Sequence, residues 1–484
     1  MVIRHPLEPD PGEMSELGSL VLDRVVSFVA GLPDRPSSPD AATLADSEKV
    51  RAFLAPPPER PGDLKTLLDR LDQATADSVE VSGPGFMAYI GSGGLYSSAL
   101  AELYARTVNR FGSISFAAPQ FIAAEESVLR WMAQDVCGLP AGSGGLLTTG
   151  GSMATFSAVV AARHHHLGED IGDGTAYVTQ FAHHSVAKAA RLAGIRQRNI
   201  RVVAATRQLR MDVAAAREMI RADRRAGLRP FLLVGSAGTT DTGTIDPLPA
   251  MADLAAQEGL WFHADAAYGG FFRLTDRGRP KLAGLERADS VTLDPHKSLF
   301  LPFGTGALVV RDPAALAAAH GGTGHYLRDI EEPQTLPNYA DLGPELSREV
   351  RGLRVWLPLH LHGVSAFRDA LDEKLDLTDY AYRRLLAIPA LEVPWRPDLS
   401  VLAFRVRPRD GSPAAAAAAD ADTQHLLDGV NATRRVLLSS TVIGGRLTIR
   451  IAILPHRTHQ DRVTELLDLI AAEVARRMRG RGSR

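Results

Sequence analysis

Two side chains at strand ends carry the chemistry most legible in this chain. Lys297 lies in Asp294-Pro295-His296-Lys297-Ser298, directly after the apolar run Ser290-Val291-Thr292-Leu293. Asp265 lies in His263-Ala264-Asp265-Ala266-Ala267-Tyr268, after Leu260-Trp261-Phe262. A lysine amine can form a Schiff base with an aldehyde. An aspartate can keep a pyridine nitrogen protonated and so make the ring an electron sink. Together they are what pyridoxal 5'-phosphate (PLP) requires of a protein. Most single lysines are solvated and many aspartates are caps, so the weight rests on the pair and its setting.

Other segments fit around that pair. Thr148-Thr149-Gly150-Gly151-Ser152-Met153 precedes a predicted helix. Glycines let the backbone approach closely, and N–H groups at a helix start bind phosphate, so Gly151 and Ser152 are the phosphate candidates. Ala182-His183-His184-Ser185 follows a predicted strand. His183 can stack on the pyridine ring, with a helix cap as the alternative role. Ser236-Ala237-Gly238-Thr239-Thr240 also follows a strand, and Thr239 there can support Asp265 or the cofactor, or simply make a turn. Arg450 on a late strand can meet a substrate carboxylate or serve structure. His164, His165 and His166 are consecutive and point about 100° apart on a helix, so they read as solvated and no metal is expected. No Gly-x-Ser-x-Gly elbow, HExxH site or Walker lysine is present.

The elements that must position these residues follow from periodicity. Met153–His166, Val186–Ala193 and Val213–Ala226 read as helices. Thr175–Thr179, Arg201–Ala205, Phe231–Gly235, Leu260–His263, Ser290–Leu293 and Gly306–Arg311 read as strands. Short β-branched runs between amphipathic helices predict an α/β domain with a largely parallel sheet, whose ligands bind beyond the carboxyl ends of the strands. A long helix is expected from Glu345 to about Leu371, and strands Val401–Val406 and Leu447–Ile453 with helices Thr423–Arg434 and Gln460–Met478 form a smaller α+β lobe. The run Ala414–Ala419 reads as a loop or helix start. The domains expected are a helical segment over 1–85, a large domain over 86–375 and a small one over 376–484. The first segment has a helical stretch near Met14–Ala30 and proline-rich connections, and is too broken for a core of its own.

Bulk properties narrow the class. The chain has 484 residues and a formal net charge of −2, which argues against general binding to nucleic acid or an anionic membrane. No apolar run nears the roughly 20 residues that span a bilayer. Met1–Pro6 lacks the apolar core of a signal peptide. Cys137 is the one cysteine and reads as a buried small hydrophobe. A cytoplasmic location is expected.

In their order, Thr149–Thr155, Ala182–Val186, His263–Tyr268, Asp294–Lys297 and Leu353–Gly363 resemble the group II PLP-dependent amino acid decarboxylases, which include aromatic-L-amino-acid, tyrosine, histidine and glutamate decarboxylases. The resemblance runs from about Phe86 to Arg457. It implies the aspartate-aminotransferase fold (PLP fold type I) and a homodimer with shared active sites, the N-terminal segment wrapping the partner. It further implies Lys297 as the Schiff-base lysine, Asp265 as the pyridinium partner, Ala267 and His183 on the two ring faces, and Gly151, Ser152 and His296 at the phosphate. Asp294 stands near the phosphate where several relatives have asparagine, and a carboxylate there needs a compensating donor. Met153 replaces a common acidic residue. Tyr326, in Gly324-His325-Tyr326-Leu327-Arg328, matches the loop tyrosine that protonates the substrate carbon after carbon dioxide leaves. The resemblance also implies that Phe86 and Tyr89 fall in a segment lining the substrate pocket, and that Gly112 and Ile114 fall near a wall of that pocket derived from the partner subunit. The expectation is decarboxylation of a neutral aromatic or branched aliphatic L-amino acid to an amine. Oxidative deamination to an aldehyde, aminotransferase or lyase chemistry, and a PLP-binding scaffold are the alternatives.

Overall fold

A computed structural model of the chain describes residues 7–40, 43, 47–322 and 335–482. Seven strands form the larger sheet: β1 (Gly144–Thr148), β2 (Gly174–Thr179), β3 (Ile200–Val203), β4 (Arg229–Ser236), β5 (Trp261–Asp265), β6 (Ser290–Leu293) and β7 (Gly306–Val310). Their spatial order is β1-β7-β6-β5-β4-β2-β3. Neighbours from β3 through β6 pair in parallel, and β7 runs antiparallel to both β6 and β1. β1, β2, β6 and β7 are buried along their whole length, as expected of a sheet covered on both faces.

The order of strands puts the site together. β4, β5 and β6 lie side by side and run the same way, so the turns after Ser236, Asp265 and Leu293 open at one edge. β1 is brought to that edge through β7, although its short Gly-Gly-Leu-Leu-Thr sequence carries almost no strand signal. The closeness of that pairing demands glycine: a Cβ on Gly145 would lie 1.9 Å from the Leu308 carbonyl oxygen.

The smaller sheet has four strands, β8 (Leu391–Glu392), β9 (Val401–Val406), β10 (Ser439–Ile443) and β11 (Arg446–Ala452), in the antiparallel order β10-β11-β9-β8. Two helices, Pro413–Ala432 and Gln460–Gly482, pack with it. The alanine run is the first turns of the former, opened by a Ser412 cap on Ala415 N–H.

Three expectations change. The helix predicted from Glu345 begins at Leu353 and runs to Leu386, broken at Gly363 where φ is 75°. Residues 345–351 carry four charged side chains, Glu345, Arg348, Glu349 and Arg351. In the fold they ion-pair inward: Arg348 with Glu125 at 2.6 Å and Arg351 with Glu345 at 2.6 Å. Second, residues 86 and 87 join the small lobe: Phe86 bridges Leu437, and Met87 is buried in the same core as Leu402, Phe404 and Ile451. The other boundary falls inside the long helix, with Leu375 in the large core and Leu377 in the small one. Third, His166 is half-buried, and burial pulls its pKa down to about 4. Strands β1 and β10 and the helices Tyr96–Val108, Pro119–Arg130 and Leu248–Glu258 went unread in the sequence. Among the described residues no helix is long and apolar enough to cross a membrane.

Candidate active site

Every residue expected at the cofactor lines one cavity of about 270 Å³ at the shared strand edge: Gly151, Ser152, His183, Thr239, Asp265, Ala267, Asp294, His296 and Lys297. Each is placed by a short local device. β5 ends on Asp265, whose Oδ1 accepts the Ala267 N–H at 3.2 Å. After β6 the chain turns at Asp294 into the four-residue helix Pro295–Ser298, and Ser298 Oγ donates to the Tyr268 carbonyl at 2.6 Å. That bond ties the lysine turn to the aspartate turn. Tyr268 is in turn fixed from the small lobe by Ser400, whose Oγ lies 2.8 Å from its hydroxyl.

The lysine is held by a carboxylate. Lys297 Nζ lies 2.9 Å from Asp294 Oδ2. Burial alone would lower its pKa, but the charge and hydrogen bond of Asp294, with Asp265 beyond, outweigh burial and raise it above the ordinary lysine value. His296 is oriented by its own backbone contact, Nδ1 lying 2.6 Å from the Thr305 carbonyl, so Nδ1–H donates and Nε2 faces the cavity.

His183 caps a helix and lines the cavity. Its Nδ1 accepts the Ser185 N–H at 3.3 Å and lies 2.7 Å from Ser185 Oγ, capping the helix His184–Leu192. Acceptance at Nδ1 leaves the proton on Nε2. Burial lowers the His183 pKa, against the pull of Asp265, and favours this neutral ring. Beneath the site His263 is fully buried, with Nδ1 2.7 Å from Ser290 Oγ and Nε2 3.2 Å from Thr292 Oγ1. It packs under Asp265 without reaching the cavity. Thr239 is buried in a threonine cluster, its Oγ1 3.2 Å from that of Thr242.

Residues 51–407 match the family described as the pyridoxal-dependent decarboxylase conserved domain. The chain belongs to the pyridoxal-dependent decarboxylases. It is 30% identical over 468 residues to an aromatic-L-amino-acid decarboxylase of Bacillus atrophaeus, covering 95% of each chain. It is 28% identical to tyrosine decarboxylase 2 of Arabidopsis thaliana, over 94% of this chain and 86% of that one. Its fold superposes on the Oryza sativa TDC solved with PLP and tryptamine with a TM-score of 0.91 at 24% identity, over 98% of this chain and 100% of that one. A Rhodiola rosea 4-hydroxyphenylacetaldehyde synthase shares the fold with a TM-score of 0.88 at 23% identity, over 96% of this chain and 98% of that one. The protein is a group II PLP-dependent amino acid decarboxylase of fold type I.

The residues present fit PLP. The cavity offers a primary amine at Lys297, a carboxylate at Asp265 and a small side chain at Ala267. The first-turn N–H groups of Gly151 and Ser152 lie where no intrahelical bond can satisfy them. Bulk is excluded there, since a Cβ on Gly151 would stand 2.8 Å from Asp294 Oδ2.

The substrate residues named from sequence lie outside this lining. Phe86 is buried beneath Gly91, and Tyr89 is 66% exposed with φ 53°. Gly112 N–H donates to the Arg348 carbonyl at 3.0 Å and Ile114 is buried. Arg450 is 4% exposed and donates to the Asp241 carbonyl at 3.0 Å, to Ser439 Oγ at 3.1 Å and to the Thr240 carbonyl. It ties the small lobe to the turn after β4 through Nε, Nη1 and Nη2. Ile90 and Thr155 line the cavity and were missed. Both lie in segments singled out from the sequence, Ile90 beside Tyr89 and Thr155 at the end of Thr149–Thr155, but neither was assigned to the site. Tyr326 lies outside the described residues.

Proposed function

We propose that this decarboxylase acts on a neutral L-amino acid, aromatic or branched aliphatic, and releases the amine and carbon dioxide. One observation carries the reading: the charge inventory of the cavity. Its charged or titratable lining groups are Lys297, Asp265, Asp294, His183 and His296, with the buried phenol of Tyr268. Each has a place at the cofactor or in a local bond. Arg450 lies outside this lining, so among the described residues no further charged group of the cavity remains to pair with a charged substrate side chain. The remaining wall includes Ile90, Met153 and Thr240. The names of the relatives, aromatic-L-amino-acid and tyrosine decarboxylases, agree with a neutral substrate.

PLP, when bound, supplies an electron sink conjugated to the substrate nitrogen. Asp265 holds a proton at the pyridine nitrogen and so keeps that sink charged. Lys297 would supply the amine that anchors the cofactor. Gly151 and Ser152 N–H groups hold the phosphate end. His183, which lines the cavity, would lie against the ring and would have its Nε2–H free to donate to the substrate carboxylate. Tyr326 gives the proton that Cα takes after carbon dioxide departs. The enzyme works in the cytoplasm as a homodimer with shared sites.

The test is carbon dioxide and amine release from the PLP-loaded protein across the common L-amino acids plus ornithine and diaminobutyrate. Amine from aromatic or branched aliphatic substrates, absent in Lys297→Ala, is the expected result. Turnover confined to acidic or diamino substrates overturns the neutral-substrate reading. Aldehyde with peroxide would move the protein to oxidative deamination.

A further inference from the structure

Asp294 is a cofactor-site carboxylate paired through one oxygen with Lys297 and unmet at the other. It is 2% exposed, and its Oδ1 has no hydrogen-bond partner. Its Oδ2 touches Lys297 Nζ at 2.9 Å and is the atom nearest Gly151, 2.8 Å from where a Cβ would stand. The carboxyl therefore faces the start of the helix Gly151–Leu167, the end of the cavity given to phosphate above. Two facts collide there. A buried carboxylate with an unmet oxygen is already costly. A phosphate beside it adds like charge just as Lys297 gives up its own positive charge to bind.

We propose that Asp294 takes the proton that Lys297 gives up, and that in the loaded enzyme it is a neutral acid donating to the phosphate. The inference rests on the assignment of Gly151 and Ser152 to the phosphate. The proton crosses one existing contact: the Lys297 ammonium and Asp294 carboxylate become an amine and a carboxylic acid. The amine then adds to the cofactor aldehyde, a C=N bond forms and one water leaves. No proton is exchanged with solvent. Asp294 is thus a positioning residue with two charge states, a counter-ion for Lys297 before loading and a donor after it.

The groups facing Asp294 permit this. On its own turn are Lys297 and His296, whose Nε2 is 3.7 Å from Oδ2. His183, opening the helix His184–Leu192, and Asp265, ending β5, act electrostatically on the same cluster. Asp265 adds negative charge and so also favours a neutral Asp294. The rival site for the proton is His296 Nε2.

Infrared difference spectra between PLP-loaded and PLP-stripped protein test the proposal. Loading should create a protonated-carboxyl C=O stretch that shifts in heavy water and is lost in Asp294→Asn. That variant keeps a neutral donor, so its PLP affinity should equal or exceed wild type, and the pH at which its visible band titrates should not move. No carboxyl band, with Asp294→Asn binding PLP about tenfold or more weakly, would overturn it and return the proton to His296 or the lysine nitrogen. Wild-type protein that takes up PLP without perturbing the Gly151 and Ser152 amide signals in NMR would instead sink the phosphate assignment, a separate failure.

Discussion

Lys297 and Asp294 sit 2.9 Å apart because one turn of helix after β6 aims both into the same cavity. Their motif was legible in the sequence; their contact was not, since it depends on side-chain direction within that turn. His183 likewise caps its helix while lining the cavity, which leaves the ring-stacking role a proposal. Tyr326 rests on resemblance, and its test is chemical. Tyr326→Phe should lose amine formation by about two orders of magnitude or more, the usual reach of a general acid, with aldehyde emerging instead. Normal amine output from that variant would remove Tyr326 from the reaction. A second residue-scale prediction concerns acid. His263 and His456 are buried, and desolvation lowers each from 6.5 to about 4. The unfolded chain takes up these protons first, so their contribution to stability is full above the ordinary value and is lost as pH falls toward about 4. The urea midpoint of the PLP-free protein should drop between pH 7.5 and pH 5, and His263→Gln should flatten that dependence. A midpoint that rises on acidification would contradict it.

The elements show why glycine and arginine carry so much of the architecture. β1 reads poorly because its pairing with β7 needs Gly145, which is a poor strand former by propensity. Its carboxyl end, leading into the phosphate turn, is held by side chains far away in sequence: Arg348 Nη2 donates to the Leu147 carbonyl at 3.0 Å and pairs with Glu125 at 2.6 Å. Arg348 also covers the Tyr339 ring at 4.6 Å. Both partners of the ion pair are almost wholly buried, so removing one strands a charge in the core. Glu125→Ala should cost about 3–5 kcal/mol in unfolding free energy and weaken PLP binding as the turn after Thr148 loosens. Denaturant titration with a parallel PLP titration reads both. A loss under about 1 kcal/mol would mean that the pair is idle, as exposed pairs are.

Across the whole molecule, apolar surface is left uncovered where a partner would supply the cover. The helix Pro11–Gly31 has a full capping box at Asp10 and Glu13, yet buries none of its residues. Leu17, Val21 and Val25 form an exposed stripe at helical spacing, and Leu67 and Leu71 repeat the pattern on Leu64–Ala76. The two helices are bound through Arg24, which pairs with Asp69 at 2.6 Å and with Asp72. A helix pair apolar on its outer side is stable only when another surface covers it. Sedimentation should show a species of twice 52.0 kDa, and Leu17→Lys with Val21→Lys should shift it toward monomer. A wild-type monomer at micromolar concentration would end the homodimer proposal.

The sequence by itself determined the chemistry and the class of scaffold. Lys297, Asp265, Gly151, Ser152 and His183 stand out as candidates through residue type and position at element ends, and alternating short strands and helices specify a largely parallel sheet. Only the tertiary structure decided what depends on neighbours distant in the chain. It turned the charges of residues 345–351 inward as buried pairs instead of a helical surface. It gave residues 86–87 to the small lobe and set Arg450 against the Asp241 and Thr240 carbonyls. Local pattern cannot foresee these outcomes. Whether a polar group finds a partner, and whether a glycine leaves room for one, is settled by packing between elements and not by the residues beside it in sequence.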